Sequence, residues 1–270
     1  MKLEGRVAVV TGGAFNHGRG IAKRLANDGA SVVVFDIDGE ATQKVVEEIN
    51  KNGGKALGIA GDISKKADVD RVFDLALEEF SKVDILVQNA ATISTKALVD
   101  EDEETWDKVF AVNVKGTFLT TQRSAQDMLK RGYGRIIIAS SGAGIRGIRY
   151  LSLYSATKSA LIRMVEAWSR ELAPHGITVN AYSPGYSPSS KMGWACVQQL
   201  AKYYDMPEDE VPKAVFSGIP IPTEADPRDT AALISFLCSD EAKFITGQMV
   251  CVDGGSTGGT EMLQRRKKHD

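Results

Sequence analysis

The chain has 270 residues, 43% hydrophobic and 25% charged, which fits an α/β domain whose core needs no metal or disulfide staple. Lys and Arg number 33 against 35 Asp and Glu, a balance that excludes the basic face of a general nucleic-acid or membrane-surface binder. Cys196, Cys238 and Cys251 are far apart and odd in number, so they read as free thiols of a reducing compartment.

The first apolar run, residues 7–10, is ended by glycines and is too short for the apolar core of a signal peptide. No stretch approaches the roughly 18 apolar residues of a membrane span. The expectation is a soluble cytoplasmic protein, with no membrane and no nucleic-acid partner. Further β-branched runs lie at 31–35, 56–60, 83–87, 135–139, 177–181 and 249–252. Helix-like stretches fall between them at 20–28, 41–50, 65–80, 103–130, 155–173 and 227–239, where apolar residues recur at three and four spacings. Near-continuous apolar strands alternating with helices predict a single-domain, doubly wound, Rossmann-like parallel sheet of about seven strands, with helices on both faces. That domain spans 1–255. Residues 183–226 hold most of the prolines and no clear strand, and read as an inserted substrate lid with short helices. Residues 256–270 form a tail that ends in the basic run Arg265, Arg266, Lys267 and Lys268. It reads as a frayed terminus, with partner binding as the minor alternative. The acidic run from Asp100 to Glu104 complements the dipole of the helix it opens.

Two loops carry candidate chemistry. Thr11-Gly12-Gly13-Ala14-Phe15-Asn16-His17-Gly18-Arg19-Gly20 joins the first strand to the first helix. A phosphate needs backbone N–H groups with no Cβ in the way, and a helix N-terminus adds partial positive charge. Gly12 and Gly18 are best placed for that approach; a tight turn with no ligand is the alternative. His17 either contacts the cofactor or fills the turn. Asp36 ends the second strand, where it suits two ribose hydroxyls and repels a 2′-phosphate. No Arg stands at 37 or 38, so NAD is expected over NADP, unless Asp36 merely caps the next helix.

The second loop leads into Tyr154-Ser155-Ala156-Thr157-Lys158, which puts phenol and amine one helical turn apart. A close cation is expected to lower a phenol pKa from near 10, and three units require roughly 4 kcal/mol. Ser141, thirteen residues earlier, ends a strand beside Gly142-Ala143-Gly144 and can donate to a carbonyl oxygen. A surface Tyr–Lys pair is the bland alternative. His17, His175 and His269 have no metal spacing, so no metal is expected.

In combination these motifs resemble the short-chain dehydrogenase/reductase family from Lys2 to about Gly255. The family's T-G-x-x-x-G-x-G loop is matched by Thr11, Gly12 and Gly18, with Asn16 in place of the middle glycine. Asp62-Ile63 looks like the adenine-contacting pair. Gln88-Asn89-Ala90-Ala91 looks like the N-N-A-G turn, departing at Gln88 and Ala91. Pro184-Gly185 matches the segment beside nicotinamide, with Ser187 and Ser189 where the carboxamide is engaged. The resemblance implies a tetrad of Asn113, Ser141, Tyr154 and Lys158. Tyr154 is its acid–base, Lys158 tunes Tyr154 and binds the nicotinamide ribose, Ser141 holds the substrate oxygen, and Asn113 supports a relay water. It implies NAD as cofactor and assembly of a homo-oligomer, a dimer or tetramer.

The substrate is the least legible part. Arg149, Lys191 and Trp194 are candidate substrate contacts beside Ser141 and Tyr154. As solvated charges Arg149 and Lys191 would mean nothing. The lid length resembles that of family members acting on acetoin, butanediol and polyols. A small polar secondary alcohol or ketone is expected first. A 3-oxoacyl-thioester reductase, a bulky hydroxysteroid-type dehydrogenase and a non-catalytic NAD-binding regulator stay open.

Overall fold

The computed structural model describes residues 2–258. One seven-stranded sheet is built from β1 (Val7–Thr11), β2 (Ser31–Asp36), β3 (Lys55–Ala60), β4 (Ile85–Gln88), β5 (Gly134–Ala139), β6 (Ile177–Pro184) and β7 (Met249–Val252). Every pairing is parallel, in the order β3-β2-β1-β4-β5-β6-β7. The order reverses between β1 and β4, so a crevice opens there at the carboxyl ends of the strands. Register places Thr11 beside Gln88 and Ala139 beside Tyr182 along that edge.

The helices are α1 (Asn16–Asn27), α2 (Gly39–Lys51), α3 (Lys66–Phe80), α4 (Glu103–Phe110), α5 (Thr117–Arg131), α6 (Gly142–Ile145), α7 (Ser152–Leu172), α8 (Lys191–Tyr204), α9 (Glu210–Phe216) and α10 (Pro227–Cys238). Alternation along each strand divides the core in two. Ala8, Val10, Val32, Val34, Ile85, Val87 and Ile137 pack with Ile21, Leu25, Val45, Ile49, Ile234 and Leu237 of α1, α2 and α10. Val9, Val33, Leu86, Ile136 and Ile138 pack with Val69, Val72, Phe73, Leu119, Met128, Leu161 and Val165 of α3, α5 and α7. Both faces of the sheet are therefore covered, as the apolar strands require. Among the described residues no helix is long and apolar enough to cross a membrane.

Three elements differ from expectation. The helix over 103–130 is helical throughout, but Ala111–Gly116 forms a π turn between α4 and α5. Apolar spacing alone does not register one extra residue in a turn. α1 begins at Asn16, four residues earlier than expected, and Asn16 itself takes a left-handed φ of 40°. β6 runs on to Pro184, so the predicted lid opens inside a strand. The basic tail lies outside the described residues.

Candidate active site

The glycine loop is held by the turn that follows β4. The Thr11 hydroxyl donates to Gln88 Oε1 at 2.8 Å and accepts the N–H groups of Asn89 and Ala90, each at 3.1 Å. Its side chain thus braces the loop. Asn89 Nδ2 donates to the Gly12 carbonyl at 3.0 Å, and Asn89 Oδ1 accepts from the Tyr182 hydroxyl at 2.9 Å. Gln88, a departure from the family pattern, also accepts from Thr120 at 3.0 Å, so its amide has a structural duty. A Cβ on Gly12 (φ +60°) would stand 2.8 Å from Ala90 Cα. One on Gly18 would stand 1.9 Å from the Gly12 carbonyl oxygen. Only glycine permits this approach.

Asp36 is buried at the end of β2. It accepts from the Ala14 N–H at 3.1 Å and from the Asp38 N–H at 3.2 Å, which fixes it beside the glycine loop. The cap of α2 is Asp38, which accepts from Ala41 N–H at 2.9 Å, so the capping alternative for Asp36 falls away. Asp62 is folded onto Ser64, accepting its N–H at 2.9 Å, and Ile63 is buried against Gly116.

The acid–base residues meet at the β5–α7 junction. Ser141 caps α6, accepting from Ala143 N–H at 3.2 Å, and also lies in hydrogen-bonding reach of the Tyr154 hydroxyl. Lys158 is fully buried and donates to the Ala139 carbonyl at 2.7 Å, with its ammonium nitrogen 5.4 Å from the Tyr154 ring centroid. Ser140 ties the two elements by donating to the Lys158 carbonyl at 3.0 Å. Burial pushes Tyr154 up to about 12, with Ser141 pulling the other way. The same burial pulls Lys158 down to about 7. In the protein without cofactor, desolvation thus dominates both groups; the expected lowering of the phenol calls on cofactor charge as well.

Asn113 lies in the π turn, fully buried. Its Nδ2 donates to the Thr92 carbonyl at 2.9 Å and to Thr157 at 3.0 Å, while Oδ1 accepts from Thr92 N–H at 2.8 Å. The side chain joins the loop after β4 to α7, one residue before Lys158.

Lys191 and Trp194 lie on the exposed side of α8, whereas Cys196 and Val197 are buried. Cys196 sits near Tyr154, beside Thr95 and Tyr186. Sequence reading missed Thr95, Cys196 and Tyr186, none of which belongs to a motif. Arg149 is exposed and stacks its guanidinium over Tyr150 at 4.9 Å and Tyr204 at 5.7 Å. It ties the loop before α7 to the end of α8. Ser187 and Ser189 both donate to Glu224, Ser187 at 3.0 Å, and Asn16 Nδ2 donates to Ser187 at 3.0 Å. Gly185 is pressed against Ala225 and the Val252 carbonyl, where a Cβ would meet them at 2.8 and 3.2 Å. Pro184 pairs with Val252.

A crevice at the strand switch point, a glycine cradle and a Ser–Tyr–Lys cluster define a nicotinamide-dependent oxidoreductase fold. A family model described as enoyl-(acyl carrier protein) reductase matches residues 13–257. The chain belongs to the short-chain dehydrogenase/reductase family. It is 37% identical to the L-2,3-butanediol dehydrogenase of Corynebacterium glutamicum, over 93% of this chain and 98% of that one. NAD+-bound xylitol dehydrogenase superposes with a TM-score of 0.88 at 27% identity, covering 94% of this chain and all of that one. A variant of actinorhodin polyketide ketoreductase with NADPH superposes at 0.90 with 28% identity, covering 94% and 98%. The chain is an oxidoreductase of alcohols or ketones with a nicotinamide cofactor.

Proposed function

We propose reversible hydride transfer between NAD(H) and a small polar secondary alcohol or its ketone, of the polyol, sugar-derived or acetoin-like kind. The position of Asp36 carries the cofactor choice. A buried carboxylate held by two backbone N–H groups beside the glycine loop accepts from ribose hydroxyls and repels a 2′-phosphate. The residues fit a dinucleotide: Gly12 and Gly18 clear the backbone, and buried polar atoms of Asn16 and His17 lack partners among the described residues. Gly12, Asn16, His17 and Gly18 would take the diphosphate, Asp62 and Ile63 the adenine, and Asn89, Ala90, Pro184, Gly185, Ser187 and Ser189 the nicotinamide half.

Bound nicotinamide supplies the carbon that accepts or returns hydride. Tyr154, protonated at neutral pH, gives its proton to the ketone oxygen in reduction. In oxidation it must first ionise, helped by the charge of Lys158 and of the oxidised cofactor. Ser141 holds the substrate oxygen beside Tyr154. Lys158 would hold the nicotinamide ribose and pass protons, and Asn113 would position Lys158 through Thr157. Cys196 lies near Tyr154 and beside Thr95, which adds polar groups at that end of the crevice; butanediol and xylitol, named for two relatives, are short and polar.

The working unit we infer is a homo-oligomer in the cytoplasm. Steady-state rates for vicinal diols, polyols and hydroxyketones with NAD and with NADP test the reading. A higher kcat/KM with NADP overturns the cofactor choice, and turnover only of acyl thioesters or steroids overturns the substrate class. Asp36→Ala is expected to shift the NAD/NADP preference by tenfold or more toward NADP, measured as the ratio of kcat/KM values.

A further inference from the structure

His17 stands in the first turn of α1, between Asn16 and Gly18. Both of its ring nitrogens are buried and without a hydrogen-bond partner among the described residues, and so is Asn16 Oδ1. A neutral imidazole carries one donor and one acceptor. Leaving such a group buried and unpaired is unfavourable. Two orphans on one ring, in the loop that cradles a diphosphate, point to a partner delivered by the ligand.

The charges around this ring sharpen the point. Glu224 and Asp226, on the segment leading into α10, both act on it, while burial outweighs them and keeps the ring below its ordinary 6.5. Glu224 is tied to Ser187 and Ser189, and through Ser187 to Asn16. The cations close by are already engaged. Arg19 and Lys23 donate to Glu48 at 2.6 and 2.9 Å, and Arg228 donates to Asp226 at 2.8 Å. Segment 183–190 and the turn 89–91 bring no charged side chain. A diphosphate entering this loop therefore adds negative charge next to two carboxylates, and His17 is the group left to compensate.

We propose that His17 takes up a proton from solvent as the dinucleotide binds and donates from its ring to a diphosphate oxygen, making cofactor affinity proton-linked. This rests on the dinucleotide reading above. The sign follows from the linkage. The ring is neutral at pH 7 in the free protein and charged in the complex. Affinity thus falls as pH rises between the free and bound values, by at most about tenfold per pH unit.

The test is calorimetric titration of NADH into the full chain at pH 7, in phosphate and in Tris, which differ in heat of ionisation. Uptake of up to one proton shows as a difference in observed heat, and Kd rises between pH 6.5 and 8. His17→Gln, checked for folding by circular dichroism, is expected to give equal heats and a flat Kd. If this variant does not fold, uptake that persists in Lys158→Met supports His17 and uptake that vanishes there overturns the assignment. Lys158 also titrates near 7, so Lys158→Met is the control. Linkage that survives His17→Gln and vanishes in Lys158→Met overturns the assignment. Equal heats with a flat Kd in the wild type overturn proton uptake while leaving NADH binding intact. Absence of NADH binding overturns the dinucleotide reading itself.

Discussion

A lysine side chain at 2% exposure is a costly thing to keep in a fold, and Lys158 makes the cost measurable. Its pKa falls from 10.5 to about 7 through burial. Between those values the unfolded chain binds more protons than the folded one, so stability rises with pH across that window. At 1.36 kcal/mol per unit the penalty at pH 7 is about 4 kcal/mol at most. Removing the amine leaves the Ala139 carbonyl without this donor, which costs about 1–3 kcal/mol. Lys158→Met is therefore expected to melt several degrees higher than wild type at pH 7 without ligand, with the gap closing toward pH 10; a lower Tm at every pH contradicts this. The same desolvation keeps Tyr154 protonated, so ketone reduction is expected to run at neutral pH while log kcat/KM for alcohol oxidation climbs with pH. Tyr154→Phe should lower turnover by about 100- to 10,000-fold in both directions. That Ser141, Tyr154 and Lys158 meet was legible, because residues one helical turn apart share a face and a strand end brings Ser141 to it. The direction of the pKa shifts was not, because spacing reports proximity and says nothing of how dry the pocket is.

At the scale of elements, α8 is fastened across the mouth of the site. Tyr203 stacks on Tyr150 with centroids 4.2 Å apart, and its hydroxyl accepts from Ala97 N–H at 2.8 Å. Lys96 N–H donates to the Tyr150 carbonyl at 3.0 Å, and Tyr150 holds a left-handed φ of 65°. Stacking of this kind is worth about 0.5–1.5 kcal/mol and a neutral hydrogen bond about as much. If closure of α8 over Tyr154 is needed to hold a short substrate, Tyr203→Ala raises KM by about tenfold and changes Tm by only a few degrees. An unchanged KM argues that α8 is a fixed wall. The seven strands were legible to within three residues, because β-branched runs buried on both faces have no other home. The π turn at Ala111–Gly116 was not, since one added residue barely disturbs an apolar stripe. Nor was the inward face of α8, where both Trp194 and Cys196 are plausible core residues and only the packing of Val197 and Ala201 decides which side turns in.

For the whole molecule, the sheet order explains why distant motifs converge. Reversal between β1 and β4 brings Gly12, Asn89 and, through β5 and α7, Tyr154 to one crevice, although 142 positions separate the first from the last. What the sheet does not consume is the outer surface of α4 and α5. Trp106 is 47% exposed and stacks on Phe110 at 4.4 Å, and Phe118 is 40% exposed. Aromatic groups left in water on the outside of the helices that carry Asn113 are a surface that gains by burial against a second copy, at about 25 cal/mol per Å² of apolar area. An obligate contact of this kind would also steady the π turn, and with it the Asn113–Thr157 bond beside Lys158. Light scattering after gel filtration is expected to give a mass of two or four chains of 29.1 kDa. Trp106→Glu places a charge in that contact and should shift the population toward the monomer, with loss of activity that tracks the loss of assembly as protein is diluted. A wild-type monomer with full activity would refute the interface, and a Trp106→Glu oligomer of unchanged mass would move it to another face of the molecule.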